Sequence, residues 1–458
     1  MLRRDTIAAV STPPGKGGVA LLRVSGPEAF SVASAVFFPK NKKSLADQPA
    51  RRAVYGEILC AGGMRDSGIA VLYPAPASFT GEDVAEICCH GGVLVQRTVL
   101  RALFAAGARP AEPGEFSRRA LLNGKMDLCE AEAFADLLEA KTEGQLKLAL
   151  SGTAGKLKRE LDGIAGRLAD AAAALCAKID YPDEDLAGLS PAELAGVLED
   201  ARGRVARLID GYEQSAPVRE GVPAVICGLP NAGKSSLYNA LAGEELAIVT
   251  DTAGTTRDVL TTDLAVGDVL LRISDTAGLR ESADEIERIG VGRALAAVES
   301  AALVLFVIDR SRPLGEDCLA LADRLSRAGG TVLPVFTKCD LPAAADPAPI
   351  EALFSRSLSL SARTGEGLGE LKKTVEELFL SGAAPGEEAS LAGERQYAAA
   401  LAAKTALENA RAAHAAGMPE DCVLADVEEA IAALGELDGR GVSEEIVSRV
   451  FSRFCVGK

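Results

Sequence analysis

Between the apolar run Val222–Cys227 and the helical stretch Ser236–Ala242, the chain reads Gly228-Leu229-Pro230-Asn231-Ala232-Gly233-Lys234-Ser235. This is G-x-x-x-x-G-K-S in a strand–loop–helix setting, which few architectures other than a parallel α/β sheet can provide. The glycines let backbone N–H groups curl around phosphate oxygens, and the helix N-terminus behind them favours negative charge. Lys234 is expected to set its ammonium against the β- and γ-phosphates, and Ser235 to offer its hydroxyl to Mg²⁺. A βα turn that matched by coincidence would not be followed by the rest of a nucleotide site.

Here the rest follows in order. Asp275-Thr276-Ala277-Gly278 ends the apolar run Val269–Ser274. A carboxylate at a strand tip can hold Mg²⁺ through water, and the glycine N–H can sense a γ-phosphate. Thr337-Lys338-Cys339-Asp340 ends Val332–Phe336. Asp340 can accept from both N1–H and the 2-amino group of guanine, a donor pair that adenine does not present. Ser361-Ala362-Arg363 follows Ser357–Leu360, where a backbone N–H can reach the guanine O6. Four motifs at successive strand ends predict GTP binding, with Ser236 completing the P-loop contacts.

The position after D-x-x-G is Leu279, so no glutamine stands there to orient water. A side-chain carbonyl on Asn231 is suited to a monovalent cation beside the phosphates. The segment Thr250-Asp251-Thr252-Ala253-Gly254-Thr255-Thr256-Arg257-Asp258 could wrap such a cation with carbonyls and a hydroxyl. The cation would neutralise transition-state charge as an arginine finger does. Asn231 on its own reads more plainly as a turn residue; together with the 250–258 segment, the cation reading is preferred.

The chain of 458 residues is long enough for three domains. A net charge of −16 excludes a uniformly basic nucleic-acid binder, and the absence of Trp argues against base-stacking platforms. Ten cysteines without a C-x-x-C pair fit reduced thiols and no zinc site. The longest strongly apolar run, Ala301–Ile308, is far short of the roughly 20 residues that span a bilayer. With no secretory signal read at the N-terminus, a soluble cytoplasmic protein is expected.

Texture divides the chain. Residues 1–122 carry short apolar runs bounded by Gly and Pro (Ile7–Val10, Val19–Val24, Ile69–Tyr73, Val84–Cys89), with a helix over Leu94–Ala106. Residues 123–218 are helical: Leu128, Ala131, Ala135, Leu138, Thr142 and Leu146 keep a three/four spacing, and Ser190-Pro191 starts another helix. Residues 219–381 alternate strands and helices as a parallel sheet does. Residues 382–458 begin as a linker and return to helix. The two helical parts flank the α/β insert and are expected to pack together, since each alone would expose an apolar stripe.

These motifs, with D-T-I-A-A-V-S-T-P-P-G-K-G-G-V-A-L-L-R-V-S-G near the start, S-F-T-G-E-D at 78–83, L-N-G-K-M-D-L at 122–128 and F-C-V-G-K at 454–458, resemble the MnmE (TrmE) family of tRNA-modification GTPases. The implied fold is multidomain: an α+β N-terminal folate-binding-like domain, a discontinuous α-helical domain and an inserted Ras-like α/β P-loop GTPase domain. The resemblance implies a potassium-activated enzyme that hydrolyses GTP to GDP and phosphate. With an FAD-containing partner, MnmG, it would convert C5 of the tRNA wobble uridine to the aminomethyl or carboxymethylaminomethyl form. The one-carbon donor would be 5-formyl- or 5,10-methylene-tetrahydrofolate, and the N-terminal domain would form a homodimer.

Residue by residue, Arg23, Glu82, Lys125 and Lys458 match the family's folate positions. Asn231, Thr250, Thr252 and Thr255 match K⁺ ligands; Ser235 and Thr256 match Mg²⁺ ligands. Glu287 matches the glutamate that orients the attacking water, sharing the catalytic role with Lys234. Thr337 replaces the usual Asn of N-K-x-D, which puts part of the loop bracing in question but not base selection by Asp340. Without the resemblance, Arg23, Glu82, Lys125 and Glu287 read as surface charges. Cys455 reads as a packed apolar residue before it reads as a nucleophile. The cluster Lys156, Lys158 and Arg159 suits tRNA phosphates or a solvated helix face equally. Two rivals remain at this point: a ribosome-assembly GTPase without covalent RNA chemistry, and a folate-dependent metabolic enzyme with an appended GTPase.

Overall fold

The computed structural model describes residues 5–181, 189–244, 261–274, 298–380, 389–440, 444–452, 454, 456 and 457. The chain forms two compact units, residues 1–135 with 152–205 and 392–458, and residues 136–151 with 206–391. Among the described residues, no helix is long and apolar enough to cross a membrane.

The first unit opens with a seven-stranded sheet built from β1 (Ile7–Val10), β2 (Val19–Ser25), β3 (Phe37–Pro39), β4 (Val54–Leu59), β5 (Arg65–Tyr73), β6 (Val84–His90) and β7 (Arg109–Pro110). Its order is β3-β4-β5-β6-β2-β1-β7, antiparallel throughout except where β7 joins β1 in parallel. Side chains alternate between the two faces. Ala20, Leu22 and Val24 point into a core closed by the helices Ala29–Val36 and Val93–Ala105. On the opposite face, Ile7 and Ala9 pack with Phe116, beside Phe79. The same face carries Arg23 and Glu86, directly opposed across β2 and β6. Towards the β3 edge it leaves Phe38, Tyr55 and Ile69 exposed.

The helical part of this unit is held by regular stripes. Lys156–Asp180 buries Leu157, Leu161, Ile164, Leu168, Ala171 and Leu175, a four/three spacing that keeps one face inward. It packs against Glu420–Asp438, which in turn packs against Glu394–Ala415. The last of these buries Ala399, Ala403, Ala406 and Ala410, small residues that let helix backbones approach. Helices from both sides of the α/β insert therefore share one core, as the exposed-stripe argument requires.

One sequence expectation is corrected. The single stripe from Leu128 to Leu146 is two helices, Leu128–Glu139 and Glu143–Thr153. Thr142 caps the second: its hydroxyl accepts the Gln145 N–H at 3.2 Å, while Gln145 Oε1 accepts the Lys141 N–H at 2.8 Å. This Thr-x-x-Gln pairing satisfies orphan donors and outcompetes continuation of the helix, and it leaves Leu138 and Leu146 exposed.

The second unit is a six-stranded sheet of β8 (Val222–Cys227), β9 (Thr261–Val266), β10 (Val269–Ser274), β11 (Leu303–Asp309), β12 (Thr331–Thr337) and β13 (Leu358–Ser359). The order is β13-β12-β11-β8-β10-β9, parallel except for the edge strand β9. The unbroken apolar run of β11 follows from burial on both faces. Leu303, Leu305 and Val307 enter one core, and Val304, Phe306 and Ile308 the other. Each such side chain contributes about 1.5–3 kcal/mol on burial.

β9 and β10 form a hairpin whose open end pairs Thr261 with Ser274 and whose turn is Gly267-Asp268. The turn is gripped from two sides. Lys147 Nζ reaches Asp268 Oδ2 at 3.1 Å, and Thr142 Oγ1 donates to the Asp268 carbonyl at 3.3 Å. The Asp268 N–H donates to Glu376 Oε1 at 2.9 Å. Lys141 also pairs with Asp263 on β9 at 2.7 Å.

Candidate functional site

The strand order reverses about β8, with β11 on one side and β10 on the other, and a ligand crevice opens at the carboxyl end of such a switch point. The P-loop leaves β8 there. Gly228 has φ +148°, and a Cβ on it would stand 2.2 Å from the Val307 carbonyl oxygen, so only glycine lets β8 lie this close to β11. Asn231 follows in the left-handed region at φ 59°, which Asn tolerates better than most residues. The helix Lys234–Glu244 then begins, with the Leu237 N–H donating to the Gly233 carbonyl. Lys234 Nζ donates to the carbonyls of Gly228 at 3.0 Å and Leu229 at 2.9 Å, folded across the loop it serves. Ser235 and Ser236 lie at the exposed start of the helix. Asn231 is exposed too.

The loop after β12 is tied to the P-loop directly. The Thr337 hydroxyl, buried, lies 2.5 Å from the Ala232 carbonyl and 3.1 Å from that of Ile308. Thr337 thus takes over bracing that its sequence position put in question. Lys338 Nζ donates to the Asn231 carbonyl at 3.0 Å and to Asp309 Oδ2 at 2.6 Å. Asp340 and Ser361 meet: Ser361 Oγ donates to Asp340 Oδ1 at 2.7 Å, and Arg363 Nη2 lies 3.1 Å from Oδ2. The Ser361 bond holds the Asp340 carboxyl below its ordinary value against the opposing pull of burial. An ionised acceptor pair is what guanine N1–H and its amino group need. Ala362, half-buried, sits between them in sequence. The structure therefore brings Asn231, Ala232, Gly233, Lys234, Ser235, Ser236, Lys338, Asp340, Ser361, Ala362 and Arg363 to the loops at one end of the sheet. Thr250, Asp251, Thr252, Ala253, Gly254, Thr255, Thr256, Asp275, Thr276, Ala277, Gly278 and Glu287 lie outside the described residues, as do Cys455 and Lys458.

In the first unit, Arg23 stands on the sheet face away from its two helices, Glu82 reaches that face through Ser25, and Lys125 lies beside Gly81. Arg23 donates from Nε and Nη2 to Glu86 Oε1 at 3.0 and 2.7 Å. Its guanidinium lies over Phe79 and Phe116, 5.0 and 5.7 Å from the ring centroids. Glu82 accepts the Ser25 hydroxyl at 2.8 Å and Arg119 Nη1 at 3.0 Å. Lys125 is exposed, and its Cγ is 3.2 Å from where a Cβ on Gly81 would stand. On this side of the sheet stand a carboxylate with spare lone pairs, the half-buried ring of Phe79 and an exposed ammonium.

The carboxyl-terminal segment reaches the same neighbourhood. Val456 bridges Pro113, and Ser11 Oγ donates to the Gly457 carbonyl at 2.9 Å. A Cβ on Gly457 would stand 2.1 Å from the Val10 carbonyl oxygen, so the tail lies flat on β1 only as glycine. Phe454 stacks on Phe134 at 6.1 Å, and Phe134 lies 6.5 Å from Phe79.

Arg119 is the residue that sequence reading passed over. It is buried to 2% exposure and donates to Glu82, to Glu115 Oε1 at 2.9 Å, and to Asp5 Oδ1 at 2.9 Å. Arg109 closes the cluster through Asp5 and Glu115. Its only sequence signal is an Arg four residues after a Glu on a helix. Hydrogen bonds, first from Arg109 and then from Arg119, hold the Asp5 carboxyl at about 2 against burial, from an ordinary 3.8. A lowered folded-state pKa stabilises above the unfolded value and ceases to do so as pH falls through the folded one. Thermal unfolding of the full chain should therefore show a Tm that falls between about pH 4 and pH 2. Asp5→Asn should flatten part of that fall; an unchanged profile would exclude Asp5 from it.

A parallel sheet with a P-loop at its switch point, braced by a Thr-Lys-x-Asp loop and a Ser-Ala-Arg loop, defines a P-loop G domain. Residues 128–455 match the family described as the MnmE helical domain, and residues 6–125 match that of the GTP-binding protein TrmE N-terminus. Along the full length of both chains, the protein is 40% identical to the tRNA modification GTPase MnmE of Geobacter sulfurreducens and 39% identical to that of Natranaerobius thermophilus. It is 41% identical to the Chloroflexus aurantiacus protein of the same name, over 99% of this chain and 100% of that one. The chain belongs to the MnmE family of tRNA modification GTPases.

Proposed function

We propose that this protein is a potassium-activated GTPase that, with an FAD-containing partner of the MnmG type, modifies C5 of the wobble uridine of tRNAs. The product would be the aminomethyl or carboxymethylaminomethyl form, with a tetrahydrofolate as one-carbon donor. The observation that carries this reading is a base-reading Asp340 assembled beside a P-loop, in a chain matched end to end by tRNA modification GTPases.

In the G domain, taken as 219–381, Lys234 draws negative charge from the β- and γ-phosphates and Asp340 accepts the guanine donors. Ser235 and Thr256 would hold Mg²⁺; Asn231, Thr250, Thr252 and Thr255 would hold K⁺. These ions, when bound, offset the charge that builds on the transferring phosphoryl oxygens. Glu287 orients the attacking water. In the N-terminal domain, taken as 1–122, Glu82 accepts from the pterin, while Arg23, Lys125 and Lys458 favour the folate carboxylates. The helical domain, taken as 123–218 with 382–458, carries the terminal motif towards that face of the sheet. The exposed Phe38, Tyr55 and Ile69 support a homodimer formed through the sheet face of the N-terminal domain. The activity belongs in the cytoplasm, where its tRNA substrates are.

Nucleoside analysis of bulk tRNA from a strain lacking the gene tests the reading. Loss of the wobble-uridine modification, restored by the wild-type gene and not by Lys234→Ala, is the expected result. Unchanged modification in the deletion strain would remove the tRNA role. Exchange of K⁺ for Na⁺ should sharply slow GTP hydrolysis by the purified protein, and equal rates would remove the cation site.

A further inference from the structure

Asp309 is the last residue of β11, and neither the P-loop nor the base-reading motifs include it. Its position is set from both sides. In the sheet it pairs in register with Thr337, so the ends of β11 and β12 lie side by side beneath the nucleotide loops. Its Oδ1 accepts both the Ser311 N–H at 2.9 Å and the Ser311 hydroxyl at 2.6 Å, which fixes the carboxylate plane. Its Oδ2 is then left facing Lys338 Nζ at 2.6 Å, and the side chain is only 11% exposed. Burial would raise its pKa, but the Lys338 ammonium and the two Ser311 bonds outweigh this and leave the carboxyl below its ordinary value. A short, charge-assisted bond to an ionised and pre-oriented acceptor is the strong kind.

The other bond from that ammonium runs to the Asn231 carbonyl at 3.0 Å, in the P-loop. Lys338 and Asn231 both have φ 59°, a conformation that persists in non-glycine residues only where the surroundings over-determine it. Thr337 engages the next P-loop carbonyl, that of Ala232. Two consecutive peptide groups of the P-loop are thus tethered to the loop that reads the base. The weaker tether is the lysine, because a four-carbon stem with a free-rotating ammonium has no preferred direction of its own. Asp309 supplies that direction.

We propose that Asp309 is a positioning residue of the nucleotide site: it holds Lys338 against the Asn231 carbonyl and so couples the base-reading loop to the P-loop. The proposal rests on the reading of this site as one for guanine nucleotide. Without the carboxylate, Lys338 loses its fixed direction, and the Asn231 peptide is free to turn away from the geometry the phosphates need. The effect falls on retention of the nucleotide more than on the chemical step, because both Asp309 oxygens are engaged within the protein, by Ser311 and by Lys338.

The test uses the full chain as wild type, Asp309→Ala and Asp309→Asn. Release of a fluorescent GDP is followed by stopped flow, and KM and kcat for GTP are measured alongside. Loss of one charge-assisted hydrogen bond predicts release about ten- to a hundred-fold faster in Asp309→Ala, with KM rising more than kcat falls. Asp309→Asn keeps an acceptor for Lys338 without the charge, and should lie between the two. Its intermediate value also separates positioning from a general loss of fold, in which both variants would fail alike. Release at the wild-type rate in both variants would overturn the proposal, as would an equal fall in kcat with KM unchanged. A wild-type protein that binds no guanine nucleotide would overturn the parent reading as well, and is recognised before any variant is compared.

Discussion

Asp340→Asn is expected to weaken guanine nucleotide binding by roughly 10²–10⁴-fold, from the loss of two charge-assisted hydrogen bonds worth about 1.5–3 kcal/mol each. The carboxylate is already built as an acceptor: Ser361 donates to one oxygen, and the Arg363 guanidinium stands beside the other. An amide in its place turns one of the two acceptors into a donor facing the guanine amino group, which is itself a donor. Xanthine carries a carbonyl at that ring position, so the same variant should gain affinity for xanthosine nucleotides. Displacement of a fluorescent nucleotide by GDP and by XDP measures both changes. A guanosine preference that survives the substitution would take base reading away from Asp340.

Arg119→Met should destabilise the first unit by about 3–5 kcal/mol. The guanidinium is buried among three carboxylates, and removing it takes from Glu115, itself only 4% exposed, one of its two arginine partners. Arg109 keeps part of the neutralisation, which places the expected loss at the lower end of that range. Denaturant midpoints of the full chain and the variant measure it. Acidification should narrow the gap, because a stranded carboxylate that takes up a proton no longer needs a cation beside it. A variant as stable as the parent at neutral pH would mean that the cluster is held by packing alone. The G domain provides an internal control, since its affinity for GDP should be unchanged.

What could be read from the chain depended on how local the cause was. The P-loop was legible because glycine, lysine and serine at fixed spacing answer to one ligand and to one strand–loop–helix geometry. β11 was legible because burial on both faces leaves no polar residue from Leu303 to Ile308. β4 was not marked, because its exposed face puts Tyr55 and Glu57 among the apolar positions and dilutes the run. The Thr142 cap was hidden by a periodicity that continues across it; hydrophobic spacing does not register a hydroxyl that competes for backbone donors. Arg119 and Asp309 were illegible for a different reason. Their partners lie far away in sequence, Asp5 and Glu82 for the first and Lys338 for the second, and only the folded chain brings them within reach. Thr337 belongs to both groups: its place in the motif was plain, but its hold on Ala232 required the fold.

The rung that joins Thr261 to Ser274 has a mechanical corollary. One strand of that pair emerges from the 250–258 segment and the other runs into Asp275-Thr276-Ala277-Gly278, so two stretches proposed to surround the phosphates share a single anchor. At the far end the ribbon is pinned by Lys147, Thr142 and Glu376, like a ruler clamped at one end and struck at the other.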